Sequence, residues 1–524
     1  MYKGKLQMDI LFSKESDKKT VILSRETIKD LAINDFVEEA CVMKEDIPIV
    51  EKVLSAMPQN AEDMRFRGEI LKDLFDNKEL CDKLSESLHA INRLKDFSGS
   101  YKVSRQSEVN LYTLLEDLRE LSVYSKVTEE LSSILHGFEV KSVGLSKLRD
   151  ELDETISSKE FEELKADIGQ MIEDLSSVKG ALIGVNFTPD LDIEEVSAID
   201  FVPYKLVSKY SLIEKLNAMR MITPTDSSTR NARVPDPLLV TIAPKIQKHL
   251  KKHYTDIKKK LTQYSDFDTR PITELHEGLI FYLVMAKYGR YLTGKGYDIC
   301  FPDIKEDERM AAKGLYNIRL AIEDTKDIVK NDFTFSKDER IFILTGPNRG
   351  GKTIIEQAIG FASFMAAHGL FVMASSFTGL PFGNILTHFP IDENLTINYG
   401  RLGEEAVRIK EIVKNSDDNT LILFNETFST TSAYDGVYLS KDLIRVLKEK
   451  GTFAIFNTHL HELAEDIPEM NKWDGEGDII SIVMERKDDK NTFLLKRAEP
   501  DSSSYAHTIA EKYGITYEQM TEKN

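Results

Sequence analysis

Tryptophan is almost missing from this 524-residue chain, and cysteine and proline are scarce: one Trp, three Cys and 15 Pro. The cysteines stand at positions 41, 81 and 300, too far apart for a metal-ligand pair. They also form no disulfide framework, which excludes a disulfide-stapled secreted fold and points to a reducing compartment. No stretch approaches 18 consecutive apolar residues, so no transmembrane helix and no membrane partner are expected. The opening segment MYKGKLQMDILFSKE lacks a long apolar core and so reads as no signal peptide; the expected location is the cytoplasm. Positive charge is in deficit. A net charge of −19 excludes a generally basic nucleic-acid coat, although it leaves room for a local basic surface.

What is present suits several helix-rich domains with proper cores: 41% hydrophobic and 30% charged residues over a length sufficient for more than one core. Residues 1–135 read as helices. In MRFRGEILKDLFDNKELCDKLSESLHAINRL the apolar positions Ile70, Leu74, Leu80, Leu84 and Leu88 predict an amphipathic helical hairpin. Residues 145–180 are long, charged and heptad-like and continue the helical reading. The texture changes over 180–207, GALIGVNFTPDLDIEEVSAIDFVPYKLV, where β-branched and aromatic residues with Gly and Pro punctuation predict strands. Residues 223–237 form a loop by composition. Helix returns over 239–265 and again in ITELHEGLIFYLVMAKYGRYL. From about 330, RIFILTG, KTIIEQAIGFASFMAAHG, TLILFNE and FAIFNTH alternate strand with helix, as a parallel α/β sheet does.

The strongest chemical signal is GPNRGGKT: Gly346, Pro347, Asn348, Arg349, Gly350, Gly351, Lys352 and Thr353. It matches G-x-x-x-x-G-K-[ST] between a predicted strand and a predicted helix, the context a phosphate-binding loop requires. Glycines let backbone N–H groups converge on phosphate oxygens at the helix N-terminus. Lys352 would reach the β- and γ-phosphates and Thr353 would ligate Mg²⁺. The apolar strand LILFNET ends at Glu426, a group able to orient and deprotonate a water. A second strand ends at Thr458-His459, where an imidazole can contact a γ-phosphate. The structural alternatives are a strand-end cap for Glu426 and a satisfied histidine for His459.

TGPNRGGKT, LILFNETFSTTSAYDG and FNTHLHEL, in that order, resemble the ATPase domain of the MutS family of mismatch-repair and DNA-junction proteins. SSSYAHTIAEKYGIT resembles that family's Ser-Tyr-Gly helix start, and the likeness covers about 335–520. It extends more weakly upstream, where LIGVNFTPDLDI is similar to the strands of the family's DNA clamp. The resemblance implies an all-α core and lever with a small β-containing clamp, followed by an α/β P-loop ATPase domain of the ABC type. It divides the chain into a helical core over 1–135, lever helices and clamp over 136–265, a helical return and connector over 266–330, and the ATPase domain over 331–524. It further implies ATP and Mg²⁺ as cofactors, and a homodimer through the ATPase domains. In that dimer Arg401, Gly403, Ser432 and Asp435 of one subunit reach the nucleotide of the other. IVKNDF resembles the family's segment before the P-loop, making Ile328 and Asn331 candidates for adenine contact, with ordinary loop residues as the alternative.

Four departures from the family pattern bear on chemistry. Nothing corresponds to the N-terminal mismatch-reading domain, so structure-selective rather than mismatch-selective DNA binding is expected. The metal-site Asp is replaced by Asn425, whose amide can bond a metal-bound water but brings no negative charge; Thr353 and Glu426 complete the metal set. The trans element reads Gly400-Arg401-Leu402-Gly403-Glu404, which keeps a cation and loses a hydroxyl. Arg349 stands in the P-loop where the family has Met, either beside the phosphates or in solvent.

Over 245–260 seven lysines face one acid, Asp256. At helical spacing Lys245, Lys248, Lys252 and Lys259 lie near one face, with Lys251 and Lys258 beside it, a footprint for phosphate contact without base reading. A solvated charged face is the alternative. Three functions compete: an ATP-dependent DNA-binding protein of MutS type whose hydrolysis gates a dimeric clamp, an ATP-binding regulatory or scaffold module with slow hydrolysis acting on a protein partner, and a P-loop enzyme such as a kinase. The Thr-Ser-x-x-Asp-Gly loop speaks against the last.

Overall fold

The computed structural model describes residues 9–13, 16–104, 111–175, 179–206, 248, 251–264, 267–390, 401–487, 490–499 and 517–521. The expected loop at 223–237, the helix start near 239, Lys245, Gly400 and the segment 502–516 lie outside the described residues. No described helix is long and apolar enough to cross a membrane. The chain forms two compact units. One comprises Met1–Asp9, Asp82–Val140 and Leu145–Leu279, and the other Ile10–Cys81, Lys141–Gly144 and Ile280–Asn524.

In the first unit the helices Leu111–His136, Lys159–Leu175 and Lys251–Gln263 pack against one another. Leu131, Leu164, Met171, Ile257 and Leu261 are buried along them. Lys260 pairs with Asp167 at 2.7 Å, and the Tyr264 hydroxyl donates to the same carboxylate at 2.7 Å. The heptad-like stretch 145–180 is divided into the helices Val143–Ile156 and Lys159–Leu175. Ser158 causes the break: its hydroxyl accepts from Phe161 N at 3.2 Å and so caps the second helix, a role short polar side chains take in preference to helix interiors. The strands expected over 180–207 form a hairpin, Gly180–Phe187 antiparallel to Ile193–Val202, with Val185 opposite Val196.

The second unit carries a six-stranded sheet. Its strands are β1 (Glu339–Thr345), β2 (Asn384–His388), β3 (Thr420–Asn425), β4 (Phe453–Asn457), β5 (Asp478–Lys487) and β6 (Lys490–Arg497), in the spatial order β6-β5-β1-β4-β3-β2. The strands from β5 to β2 run parallel, and β6 returns antiparallel on β5, so the sheet is mixed at one edge rather than wholly parallel as expected. Continuous apolar runs such as LILF suit central strands covered on both faces. On one face Ile343, Ile422, Phe424 and Phe456 pack with Ile444 and Leu447 of the helix Ala433–Lys450. On the other lies the helix Lys352–Ala367, buried nearly all round. A three-stranded antiparallel sheet (Met310–Leu315, Asn331–Phe335, Ser376–Thr378) also belongs to this unit and was not expected from the periodicity. The same holds for the short pair Thr20–Ile22 with Ala56–Pro58, which interrupts the all-helical reading of 1–135. Asn77 separates the helices Ala61–Asp76 and Lys78–Ser104, its side chain accepting from Leu80 N at 3.0 Å.

Gly360 is where the helix Lys352–Ala367 meets β3. A Cβ there would stand 2.6 Å from Leu423 Cδ1 and 2.8 Å from Leu31 Cδ2. Gly360→Ala is expected to destabilise this unit by about 1–3 kcal/mol through overpacking. Urea unfolding followed by circular dichroism checks it; an unchanged midpoint would show that the contact relaxes freely.

Candidate functional site

The site is assembled where β1, β4 and β3 end side by side. Asn425 lies opposite Asn457, and Asn457 opposite Leu344. Two main-chain bonds carry this alignment past the strand ends: Glu426 N donates to Asn457 O at 2.8 Å, and Thr458 N to Leu344 O at 3.0 Å. The glycine loop, the 425–426 step and the 458–459 step therefore start from a common line.

From β1 the chain turns through Gly346 (φ +135°) and Gly351 (φ +91°) before the helix starts at Lys352. At Gly346 a Cβ would lie 3.0 Å from Met484 Cβ, so the loop hugs β5 too closely for a side chain. Arg349, also at positive φ (+58°), is exposed, and its carbonyl accepts from Asn491 Nδ2 at 3.1 Å. The buried Lys352 folds back over the loop, its Nζ donating to Gly346 O at 3.0 Å and Pro347 O at 3.4 Å. Burial lowers its pKa, opposed by the charges of Glu426 and Glu356. An ammonium held over a helix N-terminus among backbone N–H groups is a setting for a polyanion.

Above the loop opens a cavity of about 610 Å³, lined by Asn348 to Ile355, Glu426, Tyr316, Ile328, Asn331 and Phe493 among others. Ile328 and Asn331, singled out from the sequence, both border it. The Asn331 amide is already committed: Nδ2 donates to Phe493 O at 3.1 Å, and Oδ1 accepts from Leu495 N at 2.7 Å. It ties its strand to β6 and shapes the cavity wall.

Glu426 adopts a left-handed conformation (φ +53°) that ends β3 and aims its carboxylate across to His459, whose Nε2 lies 2.8 Å from Oε1. The His459 hydrogen bond and charge, with a contribution from Lys352, hold the Glu426 carboxyl below the usual range despite its partial burial. The two residues predicted from separate motifs are thus direct partners, and the carboxylate rather than the imidazole faces the cavity.

Asn425 faces Thr353, with Nδ2 3.3 Å and Oδ1 3.5 Å from the hydroxyl. Two residues that the motifs did not flag complete this cluster. Asn457 Nδ2 donates to Asn425 Oδ1 at 2.9 Å and to Glu356 Oε2 at 3.0 Å. The only available signals were a polar residue ahead of Thr-His and an acid one turn into a largely apolar helix.

The expected trans residues lie apart from this cavity. Ser432 caps the helix Ala433–Lys450, accepting from Asp435 N at 3.2 Å and donating to Asp435 Oδ2 at 2.7 Å. Arg401 and Gly403 sit in the first turn of the helix Arg401–Lys414. Glu405 of that helix reaches back to Phe428 N at 2.7 Å and so joins the loop after β3 to it. In the first unit Lys248 is helical and exposed, Lys251 and Lys252 open the helix Lys251–Gln263, and Lys259 is exposed on it.

Fold and site together define an α/β domain with a glycine loop at the carboxyl end of a central parallel strand. The family MutS domain V matches residues 342–522. Over 163 residues the chain is 27% identical to the DNA mismatch repair protein MutS of Oceanobacillus iheyensis, covering 31% of this chain and 19% of that protein. It is 30% identical over 190 residues to Endonuclease MutS2 of Clostridium kluyveri, covering 35% and 23%. A third relative, Endonuclease MutS2 of Caldicellulosiruptor bescii, is 32% identical over 157 residues, covering 29% and 20%. Residues 342–522 thus carry a MutS domain V, the part that this chain shares with these relatives. The match spans about a fifth of the length of these relatives.

His459 leads the causes that depress the Glu426 carboxyl. His459→Ala is therefore expected to raise it towards the ordinary carboxylate range. Glu426 then loses its charge at a higher pH as acid is added. Carbon-13 NMR titration of Glu-labelled protein measures this, and an unmoved titration would refute the coupling.

Proposed function

We propose that this chain is an ATPase of the MutS type that binds DNA and couples ATP hydrolysis to its grip on it. The observation that carries the reading is the meeting of Lys352, Thr353 and the Glu426–His459 pair around one cavity large enough for a nucleotide. Glu426 is ionised and half-open to the cavity, as a base that takes a proton from water must be. His459 keeps it ionised and oriented. Lys352 is already the cation nearest the loop carbonyls and exchanges them for phosphate oxygens. Tyr316, Ile328 and Phe493 offer the apolar wall an adenine needs.

The donor set suits Mg²⁺. Thr353, Asn425 through a water, and Glu426 present oxygen atoms, and a hard cation bound with a nucleotide takes most of its remaining ligands from phosphates and water. Among the described residues no cluster of three His, Cys, Asp or Glu offers a self-sufficient metal cage, as fits a metal that arrives with its substrate. Mg²⁺ would supply charge neutralisation on the β- and γ-phosphates. The reading also includes a homodimer in which Arg401, Gly403, Ser432 and Asp435 face the partner's nucleotide. The core, lever and clamp divisions carry DNA, with Lys248, Lys251, Lys252 and Lys259 meeting phosphates without base selectivity, and branched or distorted DNA preferred.

Glu426→Gln is expected to lower the steady-state ATPase rate about 10²–10⁴-fold with nucleotide binding retained. A rate that does not fall removes Glu426 as the base. Wild-type hydrolysis is expected to rise with branched duplex at low salt. Lys248→Glu with Lys259→Glu should weaken DNA binding and reduce its salt dependence by about one to two counterions. Absence of any DNA binding would refute the DNA half of the reading and leave a slow ATP-binding module acting on a protein.

A further inference from the structure

Asn425 leaves the expected metal site one carboxylate short, and a carboxylate reappears close by. Glu356 lies three residues after Thr353 on the helix Lys352–Ala367, on the same side of it, and is completely buried. Its Oε2 accepts from Asn457 Nδ2 at 3.0 Å, and that nitrogen also stands 2.9 Å from Asn425 Oδ1 and 3.5 Å from Thr353 Oγ1. A single amide thus joins the buried acid to both residues expected to bear on the cation. Glu356 Oε1 and Asn457 Oδ1 are buried with no hydrogen-bond partner among the described residues. Buried polar atoms are rarely left so, and an acid placed in a core without a cation is disfavoured. A packing role alone would be met by an apolar residue at 356, as at most of the helix's other buried positions.

We propose that Glu356 is a positioning residue that supplies, through Asn457, the negative charge that Asn425 does not bring to the metal–nucleotide site. The inference rests on the Mg²⁺·ATP site of the proposed function. Thr353 and Asn425 would present oxygen to the cation and its water, and Glu356 would place a compensating charge behind them. Burial pushes the Glu356 carboxyl up to about 8; the Asn457 bond and the Lys352 charge oppose this, and the Asp30 and Glu426 charges add to it. A cation arriving beside Thr353 favours the ionised form, so metal uptake releases a proton. The site's charge becomes conditional on the metal rather than permanent. The cluster is also coupled in hydrogen-bond polarity. An ionised Glu356 accepts from the Asn457 amide, whereas a protonated one can donate to the Asn457 carbonyl and reverse the pair Asn457–Asn425.

Mn²⁺ is the probe, with a non-hydrolysable ATP analogue in excess, and free Mn²⁺ is read by electron paramagnetic resonance. In the full chain Glu356→Gln is expected to weaken Mn²⁺ affinity about 10–100-fold, the range found for outer-shell partners of a metal ligand. Its analogue affinity without metal should be unchanged. Asn425→Asp in the Glu356→Gln background is expected to restore Mn²⁺ affinity to about the wild-type value. Asn425→Asp alone is expected to gain little, since it sets a second carboxylate against the first. That arm does not depend on Glu356→Gln folding. Equal gains from Asn425→Asp in both backgrounds, or unchanged Mn²⁺ affinity in a folded Glu356→Gln chain, would overturn the role of Glu356 while leaving the nucleotide site standing. No saturable Mn²⁺ binding by the wild-type chain with the analogue would overturn both.

Discussion

Everything at the site hangs from the register of three adjacent parallel strands. Because Leu344, Asn457 and Asn425 lie in one row, the residues that follow them emerge together at the carboxyl edge of the sheet. The main-chain bonds from Glu426 N to Asn457 O and from Thr458 N to Leu344 O extend that row by one residue each. A slip of one residue would turn Glu426 and the Thr458–His459 step to the wrong faces, since side chains alternate along a strand. What prevents the slip is burial on both sides. Leu423 meets the helix Lys352–Ala367 at Gly360, and Ile422 and Phe424 meet the opposite helix layer. The apolar strands are therefore the reason the polar groups meet.

Within that frame, charge is arranged unusually. The His459 hydrogen bond leads the causes that hold the Glu426 carboxyl below its usual range, whereas burial, opposed by the Asn457 bond and the Lys352 charge, pushes Glu356 towards its neutral form. Two carboxyls near one lysine thus have divergent environments, a pattern that separates roles at functional sites. The half-buried one faces the cavity. The buried one stands behind Thr353 and Asn425.

Much of this was legible from sequence because it is local. A glycine loop between a strand and a helix, an apolar run ending in Glu, and a run ending in Thr-His each announce a strand end, and their chain order carried the MutS resemblance to the family that the comparisons support. Less local features were hidden. The Asn457 bonds to Glu356 and Asn425 span 101 and 32 residues, and no period or motif reports such a pairing. The antiparallel edge strand β6 was not anticipated, because the residues between it and β5 carry no strong turn signal in the sequence. The helix break before Lys159 was readable in principle from Ser157-Ser158, but the heptad-like pattern on either side outweighed two serines. Asn331, a candidate for base contact with an ordinary loop residue as the alternative, borders the cavity, and the bonds of its amide to Phe493 and Leu495 are something only the tertiary packing reveals.

The central claim is that the cavity over the glycine loop is a metal–nucleotide site governed by Lys352. Isothermal titration of the chain with ATP and Mg²⁺, set beside the Lys352→Ala variant, tests it most directly. One saturable site per chain, lost or weakened about a hundredfold or more on removal of the ammonium, is the predicted result. Binding that is absent, or equally tight without the Lys352 ammonium, would contradict it.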